Sequence, residues 1–267
     1  MIHSITTSKF ALTLCLIFTA CSFSLNAQNS NADRHLYQLK VYHLEDSEQE
    51  QQVDDYLSNA YIPALHRMGH QPVGVFKPIG QDTVSDKRIY VLTAFDSFSQ
   101  FESLDNRLAN DDQYKQAGAS YIQAAHDSPP FTEIETVLLR AFSHAPTIAK
   151  PELNTPKSER VYELRSYESA TEALNINKVE MFNEGGEIQL FEDLDFNAIF
   201  YGNVLAGSNM PNLMYMTSFN NMQSRDAHWE SFRNSPVWDR MSSLEKYQNN
   251  VSHADIYLLR ATEYSDL

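Results

Sequence analysis

The chain runs through the same landmarks twice. Leu36–Tyr42 (LYQLKVY) matches Val161–Tyr167 (VYELRSY), Val75-Phe76 matches Ile199-Phe200, Val91–Phe95 (VLTAF) matches Tyr215–Phe219 (YMTSF), and Leu138–Ala141 (LLRA) returns at Leu258–Ala261. The offsets are all about 120 to 125 residues, so each half is one duplicated, domain-sized unit and not a short solenoid repeat.

Within each half the hydrophobic period switches in a fixed order. The first half predicts a strand at Leu36–His43 and a helix from Glu48 to Met68, where Val53, Tyr56, Leu57, Ala60, Tyr61 and Leu65 recur at spacings of three and four. Strands at Pro72–Pro78 and Arg88–Phe95, helices at Ser99–Arg107 and Tyr114–His126, and a strand at Thr132–Ala141 complete it. The second half repeats the order: strand Arg160–Tyr167, helix Ala170–Phe182, strands Phe196–Leu205 and Leu213–Phe219, helix Ser224–Arg233 with a short successor, and strand Ala254–Ala261. Each half is βαββαβ, the ferredoxin-like pattern, with helices on one sheet face. Segments as apolar as VLTAF and YMTSF leave the other face in need of cover, and a tandem copy supplies a second sheet. The expected fold is α+β: two ferredoxin-like units packed sheet to sheet as an intramolecular dimeric α+β-barrel.

Residues 1–27 carry Lys9, an apolar run from Phe10 to Ala20 and a small-residue end at Ala27, the layout of a secretory signal peptide too short to span a membrane. Cleavage after Ala27 would release an exported periplasmic or extracellular protein; the imperfect lipobox FTAC offers the alternative of a lipid anchor at Cys21. Cys15 and Cys21 are the only cysteines, so the folded units have no disulfides, thiolate chemistry or cysteine-held metals. The first unit is expected over 35–143 and the second over 160–267. Between them 144–159, with three prolines, reads as an exposed linker, and the tail from Glu263 to Leu267 reads as mobile. A net charge of −15 without a basic stripe argues against nucleic acid.

RVYELRSYE at Arg160–Glu168, NAIFYG at Asn197–Gly202 and PNLMYMTSFNNMQSRDAHWESFRNSPVW at Pro211–Trp238 resemble the NIPSNAP family, whose domains adopt the dimeric α+β-barrel. The family's helix motif falls on Arg225, Trp229, Phe232, Pro236 and Trp238. The first half resembles a diverged copy, with Phe101 in place of Arg225, Asp105 in place of Trp229, and Tyr114 near the place of Trp238. The resemblance implies no single reaction; family members are associated with vesicle-related and protein-interaction roles.

Arg225, His228, Trp229 and Phe232 recur at helical spacings, which makes His228 an acid/base candidate, Arg225 an anion clamp and Trp229 a wall; packing and capping are the alternative. Gly185-Gly186 interrupts a helical pattern and marks either a pocket wall or a helix end, with Glu184 and Glu187 beside it as candidate bases. Arg165 and Tyr215, on predicted strands, join the ligand-binding candidates. His66 and His70 have a metal-compatible spacing but no third ligand at a usual offset, so no metal is assigned, and no nucleotide fingerprint is present. Haem by fold analogy would require an axial histidine. The leading expectation is a cofactor-free protein that binds a small apolar or aromatic molecule, with isomerisation or oxygenation as its possible chemistry. The rival is a non-catalytic scaffold for a protein partner, and further homo-oligomerisation stays open.

Overall fold

A computed structural model describes residues 34–81 and 86–267; the leader expected over 1–27 lies outside them. The first half contains β1 (Leu36–Leu44), α1 (Ser47–Tyr56), a π-turn at Leu57–Tyr61, α2 (Ile62–Arg67), β2 (Val73–Pro78), β3 (Lys87–Phe95), α3 (Phe98–Ala109), α4 (Asp112–Ala117), α5 (Ala119–Ile122) and β4 (Glu133–Ala141). The second contains β5 (Val161–Glu168), α6 (Glu172–Asn183), α7 (Glu187–Asp193), β6 (Asn197–Ala206), β7 (Asn212–Phe219), α8 (Met222–Arg233), α9 (Pro236–Ser242) and β8 (His253–Ala261). The helix expected at Tyr114–His126 is shorter and divided at Gly118, which ends α4 and opens α5.

The duplication extends to the helix caps. Asp46 and Thr171 accept the first free N–H groups of α1 and α6, and Ser97 and Asn221 do the same for α3 and α8. Each pair sits at the offset that maps Leu36 onto Val161 or Val91 onto Tyr215. Such a cap is worth about 1 kcal/mol. Thr171→Ala should lower the unfolding free energy by about that much, which a urea melt at unchanged m-value would read.

All eight strands form one closed barrel in the order β1-β3-β2-β8-β5-β7-β6-β4. Each half contributes an antiparallel sheet in the ferredoxin-like order, with its first strand paired to its third and fourth. The two sheets also join edge to edge: Phe76 pairs with Ala261 where β2 meets β8, and Arg140 pairs with Asn203 where β4 meets β6. Closure therefore covers the apolar faces and removes the exposed edges at once. Tyr37, Leu92, Leu139, Tyr162, Leu164 and Met216 fill the interior. The helices of each half pack on the outside of its own sheet, over two separate clusters around Leu57 and Phe191.

The exposed connection is pinned to both halves, and the tail, expected to be mobile, is tied down. In the connection, the Pro146 carbonyl accepts from His35 N, Ala149 N donates to the Ile199 carbonyl, and Asn154 N donates to Asn220 Oδ1. The tail is fixed because β2 meets β8 only from Phe76 to Pro78, which leaves amides further up the strand without a strand partner on that side. Asp266 Oδ2 accepts Val73 N at 2.7 Å, Ser265 Oγ accepts Val75 N at 3.0 Å, and Leu267 is buried in the barrel core. Buried backbone donors require such partners, and the chain end supplies them.

Candidate functional site

The helical side of the second half carries a cavity of about 640 Å³, between the outer face of β5 and β7 and the helices α6 to α9. Side chains alternate along β5, so Tyr162 and Leu164 enter the barrel while Glu163, Arg165 and Tyr167 point beneath the helices. Glu163 is fully buried. Its carboxylate accepts Arg165 Nε at 2.5 Å on Oε1, and Arg225 Nε at 2.6 Å and Trp229 Nε1 at 2.9 Å on Oε2. One buried carboxylate thus fixes two guanidinium groups and an indole, the arrangement that makes a buried charge tolerable.

Arg165 lies flat over Trp229, 3.6 Å from its ring centroid, and donates from Nη1 to Tyr167 Oη at 2.8 Å. Tyr167 Oη stands 3.0 Å from Tyr215 Oη. Burial, reinforced by Tyr167, pushes the Tyr215 phenol well above its ordinary range, so it keeps its proton. Burial pulls the Arg165 guanidinium down, but Tyr215, Tyr167 and Glu163 outweigh it and the group stays charged. On the opposite wall Lys178 and Glu187, both nearly inaccessible to solvent, form an ion pair at 2.7 Å. Trp238 closes the rim against Phe232, their rings 4.6 Å apart, where Ser235 caps α9 and Pro236 opens it.

The structure brings Arg165, Glu187, Tyr215 and Trp229 of the expected residues together on this wall. Arg225 stands behind it, bound to Glu163 and to the exposed Asp226. His228 is not part of the cavity. Its ring is wedged against Phe196 and Phe219, and Nδ1 lies 2.6 Å from the Ser224 carbonyl, one helical turn back on α8. Glu184 is exposed at the end of α6 and does not line the cavity either.

Gly185 and Gly186 form a helix junction and not a pocket surface. Gly186 has φ +92° and opens α7, which a residue with a side chain would adopt only under strain. A Cβ on Gly185 would come within 2.5 Å of the Met181 carbonyl and 2.8 Å of Tyr247 Oη. Gly186→Ala should cost about 1 kcal/mol in thermal or denaturant unfolding, whereas Gly185→Ala, which clashes with backbone, should cost more. The junction still serves the cavity, since it turns the chain so that Glu187 meets Lys178 from the next helix.

Lys178, Glu163 and Tyr247 were not singled out from the sequence. The available signal was a helix whose inward face is polar: Asn175 and Lys178 are buried in line with Met181 and Phe182. His66 and His70 separate, His66 to Asp266 at 2.8 Å and His70 to Phe95. At the barrel mouth Glu168, His253 and Asp255 place three ligand atoms within 4.8 Å of one another, a partly exposed group assembled by cross-strand pairing and invisible in linear spacing. Another hollow of about 470 Å³, between Lys77 and Tyr264, runs up to Gln81, where the described residues break off.

The space at the corresponding side of the first half is occupied. Tyr121 stacks on Tyr56 at 3.7 Å, Tyr114 Oη meets Tyr56 Oη at 2.9 Å, and Tyr42 and Phe131 pack against Tyr121. At the positions matching Glu163, Arg165 and Lys178 stand Gln38, Lys40 and Val53.

No curated protein matches the chain in sequence. Among solved structures it is similar to a monooxygenase-like protein from Fusobacterium nucleatum, with a TM-score of 0.55 and 10% identity over 85% of this chain and 92% of that one. A monooxygenase-like protein from Lactobacillus acidophilus gives 0.53 at 12% identity over 85% and 94%. An anthrone oxidase-like protein gives 0.50 at 11% identity over 87% and 93%. These likenesses show the fold, an α+β-barrel closed by both halves of one chain. The NIPSNAP family model matches residues 162–266, which include all the walls of the cavity. The second half, over residues 162–266, is therefore similar to the NIPSNAP family.

Proposed function

We propose that the protein is exported and binds one small, mainly apolar or aromatic molecule in the second-half cavity, the first half serving as the partner that closes the barrel. The observation that carries this reading is the cavity's construction: about 640 Å³ walled by Trp229, Phe232 and Trp238 and backed by buried, ion-paired charges. Export rests on the Lys9–Ala27 leader pattern. Cofactor-free isomerisation or oxygenation is the chemistry this wall would support, with Glu187 as the group that could take a proton from a bound molecule and the Tyr167–Tyr215 hydroxyls as donors.

Native mass spectrometry of protein purified gently from its own source should find a small molecule at one per chain. A Trp238→Ala variant with unchanged melting temperature should lose it. An empty wild-type chain carrying only a stoichiometric protein partner would replace this reading by a scaffold role.

A further inference from the structure

Resting on that reading, we infer that the molecule is an anion: an aromatic or other planar body bearing one carboxylate or phenolate-type oxygen, which lies between Arg165 and Lys178. Arg165 has five N–H donors in a fixed fork. Nε is committed to Glu163 and Nη1 to Tyr167, and among the described residues no protein acceptor meets Nη2 on this cavity-lining side chain. Glu163 and the Trp229 face hold the guanidinium in place, so the fork need not reorganise when an oxyanion arrives.

Lys178 faces the same cavity from α6. It gives one proton to Glu187 and one to the weak acceptor Met181 Sδ at 3.4 Å, with a third to spare. Charge balance points the same way. The cavity is lined by three cations, Arg165, Lys178 and Arg233, and by one carboxylate, Glu187; Glu163, behind Arg165, is shared with the partly exposed Arg225. In a chain of net charge −15 this is a local surplus of positive charge beside three aromatic walls. Such a surplus in a desolvated site rejects a cation and favours an oxyanion, while the aromatic rings fix the plane of its body.

The test is a matched pair, naphthylacetate and naphthylacetamide, titrated calorimetrically into the intact chain. The two probes share shape and apolar area and differ in charge. Tryptophan fluorescence locates binding in the same samples, because Trp229 and Trp238 are the only tryptophans and both line the cavity.

The inference expects the acid to bind at least about tenfold more tightly than the amide, the usual advantage of a charge-assisted contact. Arg165→Gln should bring the two affinities together. Should that variant fold poorly, the wild-type preference and its loss at high salt still decide the matter. Equal binding, or preference for the amide, overturns the anion inference and leaves the cavity reading standing. Failure of both probes to perturb the tryptophans or release heat overturns both.

Discussion

Glu163→Leu should be the most damaging single substitution in the second half, lowering the unfolding free energy by about 3–5 kcal/mol, the range for removing one partner of a buried ionic network. The carboxylate is fully inaccessible and is the common acceptor for Arg165, Arg225 and Trp229. Leucine fills much of the volume but leaves a partly buried guanidinium without a counter-ion and an indole N–H without an acceptor. Arg225 can swing towards Asp226 and water; Arg165, beneath the helices, cannot do so as readily. Glu163→Gln keeps an acceptor oxygen and loses only the charge, so its cost should be smaller. Denaturant midpoints at constant m-value compare the two. A Leu variant as stable as the Gln variant would show that the charge, and not the acceptor role, dominates.

Lys178→Met should cost a similar amount, about 3–5 kcal/mol, because it strands Glu187 among Met181, Phe232 and Tyr215. The double variant Lys178→Met with Glu187→Leu should recover most of that loss, since replacing both members of a buried pair by apolar groups is often near neutral. The double-mutant cycle should therefore be strongly non-additive. Additive losses would mean that the two side chains are stabilised by other neighbours. Regained stability should not bring back binding, because both polar wall groups would be gone. A site that could be replaced by hydrocarbon without harm to the fold is one retained for what it binds.

The sequence made the fold legible because the apolar residues that fill the barrel recur at matching positions in both halves. Tyr37 and Tyr162, Leu39 and Leu164, and Leu92 and Met216 occupy equivalent strand positions and meet in one core. Edge-to-edge closure was less visible, since β2–β8 and β4–β6 pair strands far apart in the chain and leave no local pattern. The tail read as mobile for its polar character. Ser265 and Asp266 are polar because they complete β2's unpaired amides, and amides are silent in a sequence.

The site was half legible. Arg225 and Trp229 drew attention as members of a helix motif, and their meaning became clear only with Glu163, which lies on another element and looks in the sequence like an ordinary alternating strand residue. His228 was expected beside them because it shares their helical spacing, but a single position's rotation around α8 turns it towards Phe196 and Phe219. Lys178 resembles a solvated helix residue until its neighbours Asn175 and Asn183 prove buried as well. Spacing places residues on a face; which face meets the sheet is settled by packing between elements.

The central claim is that the ligand cavity lies under the helices of the second half, while the tyrosine cluster fills its counterpart in the first. A crystal structure of the chain soaked with naphthylacetate tests this most directly. The account predicts one molecule per chain, its ring between Trp229 and Trp238 and its carboxylate on Arg165. Density beside Tyr56 and Tyr121, or at the barrel mouth with the second-half cavity empty, would contradict it.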